Sequence, residues 1–471
     1  HRSIGEPCAD VVGCVSGAMC AGAKTSRGIW YWSTGMSSSP ALLAQWSATI
    51  TNTVLSNHGL AAALRMNSEM AQSVYLTAPL RLPGGMSIPK KLRSWLAMIF
   101  CAGVGAGLLY WAVIEWGYYI AKPPHGFAPR SPEAIEWAAS YGLFHWGPTG
   151  WAILCLPSLP IAYAYYVRKI PYLRLSTGCS AFLPEGVTGV RGRAIDFLYM
   201  LNIIGGAGTS LGLSTPMISA AFAEFAGLER NFSLDVAVVV ACIAIYGTSA
   251  YLGLERGFKR MSDATMVLAL LLLLFVLIVG PTLFILKMST SGIGLVLQNF
   301  LRMNTWTDPV RDIGFVENWT VFYWAWWIAY APFVGLFVTR ISRGRSLREV
   351  ILGMVSFGSL GAGIFFMVLG NYALHLDLSG MLDVTGLMAR VGEAEAITAV
   401  IASLPYSQLA LLAFVLVAVV LLATTYDSAS YTLASVSTRR LEAGRNPARW
   451  NRLFWACALG IVPVTLMFVE G

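Results

Sequence analysis

Large aromatic rings are concentrated in one apolar segment, Trp319 to Val338, which reads WTVFYWAWWIAYAPFVGLFV and has four tryptophans in its first nine residues. Tryptophan in membrane proteins is usually found at the lipid–water boundary, so rings that continue deeper into the segment need another explanation. Rings that converge inside a helix bundle present negative π faces, which bind a quaternary ammonium or sulfonium group without hydrogen-bond donors. The alternative is that the rings only pack between helices. The rings concerned lie on or beside one helical face: Trp326, Tyr330, Phe333 and Phe337, with Tyr323 and Trp327 on its flank.

Two further segments hold groups suited to binding an ion or a carboxylate. The sequence GVGAG, Gly103 to Gly107, lies near the middle of an apolar run. Its glycines either allow a neighbouring helix to pack closely or permit local unwinding, which frees backbone carbonyls and amides for a ligand. In LLATTYDSAS, the adjacent hydroxyls of Thr424 and Thr425 are oxygen donors suited to a hard cation such as sodium. Adjacent threonines are also an ordinary packing feature, so both interpretations stay open.

Three ionisable residues fall within apolar segments: Glu115, Asp427 and His145. An acid inside a membrane is a functional candidate because ionised groups are costly there. We nevertheless interpret Glu115 as a structural hydrogen-bonding residue and Asp427 as a partner for helix ends. His145 could carry a proton, but a single histidine beside a tryptophan is more often a core residue.

The composition is that of a polytopic membrane protein and not of a soluble enzyme. Hydrophobic residues make up 56% of the chain, charged residues only 12%, and the mean hydropathy is +0.63. The eight cysteines form no CxxC pair and have no zinc-like spacing with histidine. We find no nucleophile motif and no paired carboxylates, so the sequence predicts neither an enzyme nor a cofactor.

From Ser94 onward the apolar runs follow one another steadily, and each is long enough to cross about 30 Å of hydrocarbon. We predict nine spans: Ser94 to Ile120, Ala138 to Val167, Ala194 to Phe222, Leu234 to Leu254, Ser262 to Leu286, Trp319 to Val338, Val350 to Leu374, Leu409 to Ser437, and Trp450 to Val469. Pro148 and Gly150 should bend the second span and aim Trp146 and Trp151 inward.

The net charge of +8 is concentrated in alternate loops, so it reflects topology and not nucleic-acid binding. By the positive-inside rule the basic loops are cytoplasmic.

Residues 1–89 differ from the rest, since they contain no uninterrupted apolar run of 18 residues and no signal-peptide pattern. We leave this segment unassigned and expect either an extension or an unrelated front on a fragment.

The run WTVFYWAWW, followed by RISRGRSLRE at Arg340 to Glu349, resembles the signature helix and loop of the betaine/choline/carnitine transporter family. The match is ungapped and rich in rare residues. The resemblance implies an all-α transporter core of two inverted five-helix repeats, comparable to amino acid/sodium symporters. It places the first repeat at residues 90–286, a periplasmic-side connection at 287–318, and the second repeat at 319–471, whose last helix is expected to be missing.

The resemblance also implies roles for individual residues. It assigns the substrate cation to Trp146, Trp151, Trp326, Trp327 and Tyr330, with Tyr118 as a candidate sixth ring. It assigns the substrate carboxylate to the segment of Gly103, Gly105 and Gly107, and a gating role to Phe333. It implies a sodium site made of the carbonyls of Cys101 and Val104 and the side chains of Thr424 and Thr425.

The resemblance therefore predicts sodium-coupled uptake of betaine, carnitine, choline or dimethylsulfoniopropionate by a homotrimer in the inner (plasma) membrane, in contact with lipid and with a role in osmoprotection. Departures from the family pattern leave alternatives open. Ile203 and Ala207 replace threonines of a second sodium site, and Thr265 stands where sodium-independent exchangers have an arginine. A sodium-independent exchanger is the main alternative, and a non-transporting sensor is a more distant one.

Overall fold

The computed structural model describes residues 92–252, 255–439, 441 and 446–470, and the unassigned segment 1–89 lies outside them. Every regular element in this part of the chain is helical. The α-helices, numbered in chain order, are α1 (Leu92–Val104), α2 (Gly107–Ala121), α3 (Pro132–His145), α4 (Pro148–Cys155), α5 (Ser158–Ala162), α6 (Leu175–Gly178), α7 (Val190–Ala226), α8 (Phe232–Leu252), α9 (Glu255–Val279), α10 (Thr282–Thr305), α11 (Phe322–Ile341), α12 (Leu347–Leu352), α13 (Ser359–Phe365), α14 (Asn371–Leu378), α15 (Val384–Arg390), α16 (Glu393–Ala402), α17 (Ser407–Ser437) and α18 (Arg449–Glu470). Short π-helical stretches extend or join some of them, at Tyr163–Val167, Val316–Val321, Gly353–Gly358 and Phe366–Gly370.

Seven helical segments within the described chain are long and apolar enough to cross a membrane: Pro132–Val167, Val190–Ala226, Phe232–Leu252, Thr282–Thr305, Val316–Ile341, Leu347–Leu378 and Ser407–Ser437. Six of them correspond to spans predicted from the sequence. The seventh, α10, occupies much of the segment for which we predicted only a connection between repeats.

The first predicted span is interrupted at its glycine-rich segment, as the unwinding interpretation of that segment expected. Helix α1 ends at Val104 and α2 begins at Gly107. Between them Gly105 has a φ of +58°, a left-handed conformation that side chains other than glycine rarely adopt. The break therefore follows from the sequence, since only glycine adopts this conformation at little cost.

The second span is broken between α3 and α4. Pro148 occupies the first turn of α4, where its missing N–H costs nothing. Gly147 precedes it in an extended conformation, and a Cβ at this position would lie 2.3 Å from the carbonyl oxygen of Leu143. This break confirms the bend expected at Pro148 and turns the following residues toward α11.

The fifth predicted span, Ser262 to Leu286, is wrong at its end. Helix α9 stops at Val279, and α10 starts at Thr282. Gly280 and Pro281 separate the two helices because a proline cannot donate to the preceding turn and disfavours helical geometry in the residue before it. The hydrophobic run continues across this break, which is why hydropathy alone merged the two helices.

Helix α17 lies at the centre of the described bundle, packed against α1, α7, α8, α9 and α18. It is buried along most of its length, including the whole run from Leu421 to Tyr426. Helix α11 packs on the other side, against α4, α5 and α7. The candidate site lies between these two central helices and the broken pair α1 and α2.

Candidate substrate and ion site

Four aromatic side chains meet where the α3–α4 break faces α11. The rings of Trp326 and Trp327 stack with centroids 5.2 Å apart and planes at 6°. Trp146 meets both nearly edge-on, with centroids 5.9 Å from Trp326 and 4.9 Å from Trp327. Tyr323 lies 6.0 Å from each of the two α11 tryptophans and 5.9 Å from Trp146. We call these four residues the aromatic cluster; Trp326 is half-buried and the other three are buried.

The breaks in the helices hold the rings of the cluster in place. Trp327 donates its indole N–H to the carbonyl oxygen of His145 at 3.0 Å. His145 is the last residue of α3, and the final carbonyls of a helix lack partners within it. Gly150 allows this approach, since a Cβ there would lie 2.8 Å from the Trp327 indole nitrogen.

A buried acid lies directly behind the cluster. Glu115 of α2 accepts hydrogen bonds from the hydroxyl of Tyr119 at 2.5 Å and from the Trp146 indole N–H at 3.1 Å. It also accepts one from the hydroxyl of Tyr323. The His145 Nδ1 lies 2.9 Å from the Tyr119 hydroxyl oxygen and 3.7 Å from the carboxylate. Glu115 therefore connects two rings of the cluster to a histidine.

The other three predicted cation-binding rings lie outside the cluster. Trp151 packs its ring against Gly358, where an added Cβ would lie 2.1 Å away. Tyr330 lies one turn beyond Trp327 and faces α7, with its hydroxyl 3.4 Å from that of Ser210. Tyr118 contacts Trp319 at 5.3 Å on the far side of Glu115.

The predicted gate residue Phe333 is buried and meets the Tyr330 ring edge-on, with centroids 5.4 Å apart. Both side chains line a small cavity together with residues of α7 and with Ala429 of α17. This cavity lies one to two turns along α11 from the aromatic cluster. The predicted binding rings and the predicted gate therefore follow one another along the same helix.

The α1–α2 break lies between the aromatic cluster and α17. A Cβ on Gly107 would lie 3.9 Å from the Trp326 ring, and a Cβ on Gly105 would lie 3.1 Å from the Thr425 hydroxyl oxygen. Gly103, Cys101 and Val104 belong to the last turn of α1. The break thus brings the end of α1 and the start of α2 close to both a threonine of the predicted sodium site and a tryptophan of the cluster.

The two threonines of the predicted sodium site are buried in the middle of α17. The hydroxyls of Thr424 and Thr425 donate to the same carbonyl, that of Leu421, at 2.9 Å and 3.0 Å. A hydroxyl that donates to its own helix still has acceptor lone pairs. The two oxygens can therefore face a cation without giving up these bonds.

Side-chain contacts also join the helices of the site to distant segments at both ends. At one end the Tyr118 hydroxyl donates to Glu393 at 2.5 Å, and Arg230 of the α7–α8 loop pairs with Glu395 of α16. At the other end the Trp95 indole N–H donates to Ser342 at 3.0 Å. These contacts join elements that are far apart in the chain.

Sequence reasoning missed part of this arrangement. It placed Tyr323 on the flank of the aromatic face and interpreted Glu115 and His145 as ordinary structural residues. The structure joins all three around one carboxylate. One available signal was the spacing of Glu115 and Tyr119, which are four residues apart and share a helical face.

Comparisons with known proteins agree with these features. The model of the betaine/carnitine/choline transporter family (BCCT) matches residues 36–471, and so begins within the segment that we left unassigned. An uncharacterized transporter of Escherichia coli K12, YeaV, is 40% identical over 80% of this chain and 78% of its own length. A carnitine transporter of Acinetobacter baumannii is 36% identical over 80% of this chain and 69% of its own.

A solved structure of a Na+-coupled sialic acid symporter, in a substrate-bound outward-open state, aligns with 91% of this chain and 82% of its own. The TM-score is 0.45 at 13% identity, a likeness too low to bear on function. The family match rests instead on more than nine-tenths of the chain, and the apolar helices fit it. The chain is thus a multi-pass plasma-membrane transporter, not an enzyme, and belongs to the betaine/carnitine/choline family.

Proposed function

We propose that this protein takes up a small zwitterion with a quaternary ammonium or sulfonium head. A sodium gradient would drive the uptake, and the site would open alternately to the two sides of the membrane. Candidate substrates are carnitine, glycine betaine, choline and dimethylsulfoniopropionate. The observation that carries the proposal is the aromatic cluster, in which three tryptophans and a tyrosine meet beside a broken helix. Similarity to a carnitine transporter supports the same substrate class.

The cation would bind against the tryptophan faces. A methylated ammonium has no N–H to donate, so it is recognised through the ring quadrupole and through desolvation. Trp326 is the half-buried ring of the cluster, while Trp146 and Trp327 are buried. Since Trp326 and Trp327 stack at 5.2 Å, the head group cannot lie between them and would contact the outer face of Trp326.

The carboxylate of the zwitterion would bind at the start of α2. The first N–H groups of a helix have no partner within it, and the helix dipole favours an anion there. Gly107 is the first residue of α2 and lies next to the Trp326 ring. Because the ring and the helix end are neighbours, the two charged ends of a short zwitterion would contact them at the same time.

Sodium would bind between α1 and α17. The last carbonyls of α1, including those of Cys101 and Val104, lie at the negative end of a helix. The hydroxyls of Thr424 and Thr425 would complete the site, and Thr425 is the side chain that contacts the break at Gly105. Sodium would thereby stabilise the broken conformation that also exposes the start of α2, which is how ion and substrate binding would be coupled.

The test is uptake of the four radiolabelled substrates into proteoliposomes containing the full-length protein. Coupled uptake predicts accumulation that requires an inward sodium gradient and collapses when potassium replaces sodium outside. An exchanger instead predicts uptake that ignores sodium and requires substrate preloaded inside. Absence of uptake, exchange and binding for all four compounds would overturn the assignment of the aromatic cluster.

We also propose that the protein assembles as a homotrimer surrounded by lipid. Helix α10 supports this, because it presents an apolar face that the rest of the described chain leaves uncovered. The residues exposed on it include Leu283, Leu286, Ile293, Leu297 and Leu301. Native mass spectrometry in mild detergent would show a trimer; a monomer at all concentrations would contradict it and assign this face to lipid.

A further inference from the structure

An acid and a histidine lie behind the aromatic cluster, and the proposed transport cycle does not yet use them. The side chains of Glu115 and His145 are both fully buried, with 0% of either exposed. The Tyr119 hydroxyl lies between them, 2.5 Å from the carboxylate and 2.9 Å from Nδ1 of the imidazole. On its other side the imidazole Nε2 lies 3.1 Å from the Thr320 hydroxyl oxygen.

No lysine or arginine balances this carboxylate within the part of the chain that the structure describes. The group within ion-pair distance of Glu115 there is His145, which is cationic only when it holds a proton. The neighbouring helices contribute neutral phenols. The titratable side chains that face the pair are Tyr119 from α2, Tyr141 from α3 and Tyr323 from α11.

The acid bonded to the neighbouring Tyr118 is directed elsewhere. Glu393 of α16 accepts a hydrogen bond from Tyr118, one helical turn from Glu115, and does not contact the pair. The net charge beside the cluster is therefore decided by one proton. With it, the pair is neutral overall, as a carboxylic acid with an imidazole or as a carboxylate with an imidazolium. Without it, the pair carries a charge of −1.

We propose that Glu115 and His145 form a proton-binding site whose occupancy competes with that of the substrate cation. This inference rests on the proposed function, because it requires a cation at the aromatic cluster. A cation held against rings in a dry environment gains strongly from a nearby uncompensated negative charge. The same charge binds a proton, so each ligand weakens the binding of the other.

The contacts explain how the charge state reaches the rings. The Trp146 indole and the Tyr323 hydroxyl both donate to Glu115, so a carboxylate holds both rings in position. Protonation removes one acceptor site of the carboxyl group and replaces it with a donor. When the cation enters, one proton leaves the pair, and the Tyr119 hydroxyl can pass it between Glu115 and His145 because it contacts both.

The test is isothermal titration calorimetry of the full-length protein in nanodiscs, with carnitine and glycine betaine as probes at a fixed, saturating sodium concentration. Titrations at pH 5.5 to 8.5 in two buffers of different ionisation enthalpy give the number of protons released. We expect release of up to one proton per substrate, and a Kd that rises by about tenfold per pH unit on the acid side of the transition.

Glu115→Gln should abolish both the proton release and the pH dependence, while His145→Gln should move the transition to a different pH. Glu393→Gln is the matched control, since it alters a hydrogen-bonded acid on the other side of Tyr118 and should retain the wild-type proton release. If the wild-type protein binds a probe with the same enthalpy in both buffers, no proton is released. That result overturns the inference and leaves the proposed function standing. If neither probe binds at any pH, the proposed function fails and this inference fails with it.

Discussion

The aromatic cluster and the threonine pair are the two halves of the proposed site. The cluster is held by hydrogen bonds between residues far apart in the chain, whereas the threonines bond within their own helix. In the cluster, the Trp146 indole bonds to Glu115, 31 positions away, and the Trp327 indole bonds to His145, 182 positions away. The hydroxyls of Thr424 and Thr425 bond instead to Leu421, three and four positions away on the same helix.

This difference separates what each half depends on. The geometry of the cluster exists only when α2, α3 and α11 are packed together, so its rings are held in position before any ligand binds. The threonine oxygens are positioned by α17 alone, and their remaining ligands must come from another element. Substitutions in the cluster should therefore affect substrate binding directly, whereas substitutions of the threonines should act through sodium.

The largest effect is expected from Trp326→Leu. The substitution removes the half-buried ring whose outer face would contact the substrate cation. A desolvated cation–π contact is worth about 2 kcal/mol, so the Kd for carnitine or betaine should rise by roughly 30-fold. Calorimetry on the purified protein measures this change.

Trp450→Leu is the control for that substitution, because Trp450 is 70% exposed on α18. Its Kd should stay within twofold of the wild-type value. Equal losses of substrate affinity in both variants would contradict a specific role for the cluster in binding the substrate.

A smaller and different effect is expected from Thr425→Ala. Loss of one oxygen ligand to a charged ion should raise the half-saturating sodium concentration by about tenfold. At saturating sodium the substrate Kd should return close to the wild-type value, which distinguishes this variant from Trp326→Leu. Sodium titration of substrate uptake in proteoliposomes provides the measurement.

Thr432→Ala is a matched control for the sodium effect. Thr432 is also buried on α17 and donates to the carbonyl four residues earlier, that of Ser428, at 2.8 Å. It lies about two turns from the α1–α2 break and should leave the sodium response unchanged. A tenfold shift in both variants would mean that helix packing, and not ion binding, is being measured.

Gly105→Ala tests the element that joins the two halves. Alanine in the left-handed conformation at φ +58° costs about 1 kcal/mol, and its Cβ would press against the Thr425 hydroxyl. We expect a lower thermal midpoint together with a weaker sodium affinity. Gly186→Ala separates strain from contact, since Gly186 has a φ of +75° with no atom within 4 Å of an added Cβ. It should lower the thermal midpoint alone.

The smallest effect concerns a region outside both halves. His125, in the loop between α2 and α3, packs against Trp306 with ring centroids 4.0 Å apart. Burial, reinforced by nearby Arg302 and Arg311 and opposed by Asp308, lowers the pKa of His125 from 6.5 to about 4. Below pH 6.5 the His125 imidazole therefore binds a proton in the unfolded chain, whereas in the folded chain it stays neutral down to about pH 4.

Stability should accordingly fall as the pH drops from 6.5 toward 4, and His125→Phe should reduce that fall. Thermal midpoints at pH 7.5 and 4.5 without substrate make the comparison. An equal acid-induced drop in both proteins would exclude this histidine as its source. The result also separates the acid sensitivity of folding from the pH dependence expected of substrate binding at Glu115.

Much of the frame of the site could be predicted from the sequence because it depends on local chemistry. Gly105 and Pro148 interrupt their helices for reasons of backbone geometry, and both breaks were expected. Rare tryptophans at 146, 326 and 327 marked the rings that do meet. These predictions needed only the neighbours of each residue in the chain.

The remaining features depend on which distant surfaces meet, and spacing alone does not determine that. Helical periodicity placed Tyr330 on the same face as Trp326, yet the structure turns it toward α7. Trp151 follows the predicted bend, but Gly358 offers its ring a closer surface. For Glu115 the structural interpretation was reasonable for one residue considered alone, since its partners Trp146 and Tyr323 lie 31 and 208 positions away.

Helix α10 has a mechanical consequence for alternating access. It packs along α3, and its polar side chains accept hydrogen bonds from α4 and α14: Asn304 accepts from Thr149 of α4 at 2.9 Å, and Ser289 accepts from Asn371 of α14 at 3.2 Å. A rigid helix that is bonded to two other helices at separate points prevents those helices from sliding past each other. Helices α4 and α14 should therefore move as one rigid body, and the sliding surfaces of the transporter must lie on faces that α10 does not bridge.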